Sequence, residues 1–91
     1  VYNNPTVSSF PFSGKVLDVL DTFIDTAANH EILIMLDIHR LHHSLGISEL
    51  WYNSEWTNEK IKQVITTLAN RYSSKWNVFA LDLKNEPHGV A

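Results

Sequence analysis

The sequence predicts an α/β fold with parallel strands, and three observations carry that prediction. Two short, continuous apolar runs occur, at residues 32–36 and 78–83. A segment of helical period lies between them, and another precedes the first. Each run also ends in a group of polar residues. A short apolar run bounded by polar residues suits a strand buried on both faces, as in parallel sheets. The order helix, strand, helix, strand contains a βαβ unit, which requires parallel pairing and a right-handed crossover. Two strands leave open edges that need further strands, so the chain reads as a segment of a larger sheet rather than a complete domain.

Residues 1–13 are rich in Asn, Pro, Ser and Phe without a sustained period, and read as a loop. Ser13 is the expected N-cap of the first helix. From Gly14 the apolar residues Val16, Val19, Leu20, Phe23, Ile24, Ala27 and Ala28 fall at helical spacing, with Asp18, Asp21 and Asp25 off the stripe. This helix should end near Asn29 or His30, since Asn tolerates the left-handed C-terminal position. The first strand follows and runs into Asp37, His39 and Arg40. Residues 41–55 form a polar and aromatic loop around Gly46. Thr57 or Asn58 caps the second helix, whose stripe is Ile61, Val64, Ile65, Leu68, Ala69 and Tyr72. Arg71 sits in its last turn, where a cation complements the helix dipole. Residues 73–75 make a turn. The second strand then runs into Lys84, Asn85, Glu86, Pro87, His88 and Gly89, where Pro and Gly end regular structure.

Composition narrows the function classes. The 91 residues are 44% hydrophobic with a formal net charge of −3, which is globular composition. The 7 basic residues are scattered, so no nucleic-acid partner is expected. No apolar run is long enough to span a membrane. Neither a signal peptide nor a natural start is visible at Val1–Pro5. Cysteine is absent, which excludes disulfides and thiolate metal sites within the stretch. Asn4-Pro5-Thr6 is blocked by its proline as a glycosylation acceptor.

In a parallel barrel the C-terminal ends of all strands meet on one face, where active sites form. Adjacent strands would then deliver His39 and Glu86 to one mouth. Glu86 is the sharpest candidate, because a carboxyl at the end of a buried strand can serve as a general acid. Asn85 beside it can donate to a sugar hydroxyl, and Pro87 stiffens the turn. The tripeptide alone also fits an ordinary turn with a solvated Glu; the buried strand before it favours the site. His39 reads either as a substrate contact or as a satisfied polar residue. Asp37 and Asp82 read as structural, with Arg40 the expected partner of Asp37. His39, His42 and His43 form a His-x-x-His-His cluster. Zinc needs a third ligand and a supporting carboxylate in fixed geometry, and adjacent loop residues often point apart, so no metal is assigned. Trp51 and Tyr52 lie where aromatic faces could stack on pyranose rings, or could pack under the loop. Trp56 and Trp76 read as structural.

Four stretches, in order and spacing, resemble the glycoside hydrolase family 5 cellulases. They are residues 34–40 with Asp-x-His-Arg, residues 50–52 (Leu-Trp-Tyr), residues 68–72, and residues 77–89 with Asp-Leu-Lys-Asn-Glu-Pro-His-Gly. The resemblance covers about residues 14–91. It implies a retaining endo-β-1,4-glucanase on a (β/α)₈ TIM barrel, of which the chain, residues 1–91, would be an incomplete catalytic domain. The segment would cover roughly helix 2, strand 3, helix 3 and strand 4. Glu86 matches the family's acid/base glutamate, Asn85 the asparagine before it, and His39 the histidine at the end of the third strand. The nucleophile, a second glutamate on the seventh strand, falls outside the segment. Glu49, Glu55 and Glu59 cannot stand in, since they lie on the loop and helix. His30-Glu31 departs from the Gly-containing turn common before the third strand.

The resemblance further implies secretion, a β-glucan substrate, a monomeric full-length enzyme and no cofactor. A segment without the nucleophile is expected to be inactive by itself. Rival readings are a non-catalytic carbohydrate-binding barrel, a metal-dependent hydrolase using the histidine cluster, and a mannanase or exoglucanase of the same family. A downstream strand ending in Glu separates the first from an enzyme. Inhibition by a chelator would favour the second. Assays on cellulose, mixed-linkage glucan and mannan resolve the third.

Overall fold

The computed structural model describes residues 6–9, 12–42 and 44–89. Its elements are β1 (Thr6–Ser9), β2 (Phe12–Lys15), α1 (Val16–Asn29), β3 (Ile34–Asp37), α2 (Asn58–Tyr72) and β4 (Val78–Asp82). β3 and β4 pair in parallel across α2, the βαβ unit expected from the apolar runs. Both strands are shorter than those runs. Ile32 and Leu33 precede β3 and are exposed, and Leu83 follows β4.

The first correction concerns the N-terminal part. Residues 6–9 and 12–15 form an antiparallel hairpin rather than a loop, with Thr6 opposite Lys15 and Ser9 opposite Phe12. Only four residues per strand, without clean alternation, gave that hairpin little signal. Ser13 therefore lies within β2 and is not a cap. Lys15 holds the N-cap position of α1 and makes no side-chain capping bond.

α1 buries Leu17, Ile24 and Ala27, spaced seven and three residues apart on one face. Phe23, expected on the stripe, is 58% exposed. The helix ends in a Schellman motif: Ile32 N–H bonds Ala27 O at 2.9 Å and Glu31 N–H bonds Ala28 O at 3.0 Å. The left-handed residue this motif needs is Glu31, at φ 57, and not Asn29. This is the turn at which the resembled family commonly places glycine.

α2 starts as predicted. Thr57 accepts the Lys60 N–H on its side chain. Its Ile61 and Tyr72 are buried. Arg71 does more than complement a dipole, since it ion-pairs with Asp21 and Asp18 of α1. Tyr72 donates its hydroxyl to Asp21 at 2.8 Å, and Lys75 pairs with Asp25 at 2.7 Å. The hydrogen bond from Arg71 holds the Asp21 carboxyl below the usual carboxylate range. Burial and the bond to Asp21 push the Tyr72 phenol up.

Asn77 joins three segments. It is 0% exposed, and its Nδ2 donates to Ile24 O at 2.9 Å and Ile32 O at 3.3 Å. Its own carbonyl accepts the Ile34 N–H. The C-terminal half of α1, the entry to β3 and the entry to β4 are thus tied at the N-terminal end of the parallel strands. That fixes which strand ends are left to meet at the opposite rim.

Candidate active site

The pairing of β3 and β4 continues past the strands as two backbone bonds. Ile38 N–H donates to Asp82 O at 3.2 Å, and Asn85 N–H donates to Ile38 O at 3.0 Å. The two partners of Ile38 stand three residues apart, where a regular parallel ladder has two, so β4's continuation holds one extra residue. Such bulges re-aim side chains beside active sites. The next residues along the two chains are His39 and Glu86. The structure therefore brings both candidates to the same end of the sheet, directly beyond a shared backbone bond.

His39 donates its Nδ1–H to Asp37 Oδ2 at 2.8 Å. This corrects the expected Asp37–Arg40 pair: Arg40 instead donates to Leu45 O at 3.3 Å. The physical reason is strand geometry, in which residues two apart share a face while neighbours point oppositely. That spacing was the available signal. The pairing selects the tautomer with hydrogen on Nδ1, which leaves Nε2 of the neutral ring as an acceptor.

Around Glu86 the chain is held tightly. Asp82 Oδ1 accepts the Lys84 N–H at 3.2 Å, and Lys84, only 6% exposed, donates its ammonium to Asn85 O at 2.6 Å. Lys84 was not singled out from sequence, because a lysine at a strand end looks solvated. Asp82 keeps the structural role expected of it. Asn85 is half-buried, and Glu86 is exposed at φ 45, the left-handed region. The loop continues against the loop after β3, where His88 N–H donates to Glu49 O at 2.8 Å.

Trp51 and Tyr52 contact each other edge to face with ring centroids 5.8 Å apart. They line different clefts. Trp51 shares an open cleft of about 590 Å³ with Met35, Asp82, Lys84 and Pro87, at the C-terminal end of the strands; Glu86 is not among its lining residues. Tyr52 lines a second cleft of about 640 Å³ with Glu49, Asn53 and Asn58 at the start of α2. Trp56 lines a small cavity with Leu41 and Ile61, in keeping with a packing role. Trp76, read as structural, is 63% exposed. Nδ1 of His42 accepts from the Ser44 N–H at 3.2 Å. His43 lies outside the described residues. Among the described residues, no three His, Cys, Asp or Glu side chains are grouped to hold a metal ion, and no helix is long and apolar enough to cross a membrane.

A βαβ unit whose polar residues gather at the C-terminal strand ends, beside an aromatic-lined cleft, has the arrangement of an α/β-barrel enzyme. Residues 2–91 match the model for cellulase (glycosyl hydrolase family 5), and the chain belongs to that family. It is 40% identical over 75 residues to the major extracellular endoglucanase of Xanthomonas campestris pv. campestris, covering 82% of this chain and 15% of that protein. An endoglucanase of Paenibacillus polymyxa is also 40% identical over 75 residues, covering 82% and 19%. A cellotetraose complex of the endocellulase from Pyrococcus horikoshii superposes with a TM-score of 0.76 at 34% identity, covering 85% of this chain and 20% of that one. The catalytic domain of the Xanthomonas enzyme gives 0.75 at 40% identity, covering 82% and 21%. The fold is part of a TIM barrel of the endocellulase type, and the chain spans between 15% and 19% of those two curated relatives' lengths.

Proposed function

We propose that this chain supplies the third and fourth strands of the catalytic barrel of a secreted, retaining endo-β-1,4-glucanase, with Glu86 as its general acid and base. The observation that supports the reading is the Asn85 N–H bond to Ile38 O, which ties the backbone just before Glu86 to the backbone just before His39. Relatives named as endoglucanases, one of them extracellular, support the substrate class and secretion.

Retaining hydrolysis needs two carboxyls about 5 Å apart. Protonated Glu86 gives its proton to the glycosidic oxygen as the bond to the anomeric carbon breaks and a carboxylate from elsewhere in the barrel attacks that carbon. Glu86 then takes a proton from the water that hydrolyses the glycosyl-enzyme. Asn85 and the Nε2 of His39 bond the hydroxyls of the sugar at the scissile bond. Asp37 holds the His39 ring in place. The face of Trp51, in the cleft shared with Pro87, stacks on a sugar ring, while Tyr52 meets Trp51 edge to face and lines the second cleft.

The test is Glu86→Gln in the enzyme carrying this segment. Turnover of unactivated β-1,4-glucan should fall by roughly 10²–10⁴-fold, while cello-oligosaccharide binding persists. Near-wild-type turnover would refute the assignment.

A further inference from the structure

His88 makes two contacts that the proposed chemistry leaves unused. Its Nδ1–H donates to the carbonyl of Glu86 at 2.9 Å, while its backbone N–H donates to Glu49 O at 2.8 Å. Between them lies Pro87, whose ring fixes its own φ. Glu86 has φ 45, which L-residues adopt only when their surroundings hold them there. Upstream, the holds are the Asn85 N–H bond to Ile38 O and the Lys84 ammonium on Asn85 O. Downstream, the hold is the imidazole of His88. Gly89 follows at φ 85, and a Cβ there would meet Glu49 Oε2 at 2.8 Å, so the two loops are packed against each other at this point.

We propose that His88 is a positioning residue for Glu86, holding the peptide after it so that its carboxyl stays at the distance proton transfer requires. The inference rests on the reading of Glu86 as the acid/base. The contact is local and exposed, two residues apart in sequence, so its loss leaves the buried residues of the chain untouched. Without the donor, the Glu86 carbonyl loses its partner and the carboxyl samples positions away from the glycosidic oxygen. The deficit then falls on bond cleavage that needs a proton. It spares a leaving group that departs without one.

The experiment uses His88→Ala and His88→Leu, which lack the donor, and His88→Asn, whose Nδ2 replaces Nδ1 at a similar place. All are made in the full enzyme carrying this segment. Values of kcat/KM are measured on cellotetraose and on 2,4-dinitrophenyl β-cellobioside, alongside Glu86→Gln. The donor-less variants should lose on the order of 10- to 100-fold on cellotetraose. They should lose less than about 3-fold on the dinitrophenyl glycoside, whose leaving group needs no general acid. His88→Asn should recover most of the difference. Equal losses on both substrates, no loss on either, or an Asn variant no better than Ala would overturn the proposal. So would failure of both donor-less variants to fold while His88→Asn folds, which would assign the contact to stability. Glu86→Gln separates the two levels. If it shows no dependence on leaving group, the reading of Glu86 itself falls; if it does and the His88 variants do not, only the positioning role falls.

Discussion

Gly89 meets two constraints at once. Its φ of 85 lies where a side chain is disfavoured, and a Cβ would come within 3.2 Å of both Cβ and Cδ of Glu49. Gly89→Ala in the intact enzyme should therefore cost roughly 1–2 kcal/mol from the backbone alone. Adding Glu49→Ala should remove the contacts with Oε2 and Cδ and leave the backbone part together with the Cβ contact. Denaturant unfolding of the single and double variants measures this, and a neutral Gly89→Ala would contradict it. At this scale the sequence was informative about identities more than about partners. Glu86 stood out as a candidate because Asn-Glu-Pro follows an apolar run. The imidazole bond of His88 was not, since nothing in a sequence sets the side-chain direction of a turn residue. Asp37 was matched to Arg40 as a neighbouring cation, although the partner is His39, two residues on.

Between α1 and α2 the ion-pair cluster sets how the two helices lie against each other. Tyr72 is 3% exposed, and its hydroxyl ends on the carboxylate of Asp21. Tyr72→Phe should cost about 1–2 kcal/mol at neutral pH, the worth of a hydrogen bond to a charged group less screening at a part-exposed carboxylate. The pH dependence follows from the lowered Asp21 value. A depressed carboxylate contributes its full stability above the unfolded-state value near 4 and loses it as pH falls through the lower folded-state value. The wild-type to Phe difference should thus be constant at neutral pH and shrink below about pH 4. Denaturant titrations of both proteins at several acidic pH values test this; a difference that persists undiminished would point to packing instead. Both helices were visible in the periodicity and both parallel strands in the continuous apolar runs. The hairpin of β1 and β2 was not, because four-residue strands give pattern reading too little to work with. In α1 the predicted stripe holds at Ile24 and Ala27, which are buried, while Phe23 lies outside and Leu17, not placed on the stripe, is buried.

Taken whole, the sheet leaves much apolar surface uncovered. Met35 is 52% exposed, Phe79 62% and Leu83 56%. Those side chains require neighbouring strands and helices of a barrel, as the open edges of a two-stranded parallel sheet already demanded. Produced as these 91 residues, the chain should bind an apolar dye strongly, sediment as aggregates and show no glucanase activity. A monodisperse, active preparation would contradict this. The number of missing strands could not be read from residue patterns alone, and only the family resemblance supplied it. One consequence concerns where such enzymes tolerate being recombined. Asn77 bonds carbonyls on either side of the α1–β3 turn, at Ile24 and Ile32, so those positions travel as a set. In chimaeras built from homologous glucanases, a crossover between 24 and 77 would mix a donor from one parent with acceptors shaped by another. Junctions after Asn77 would keep that set in one parental block.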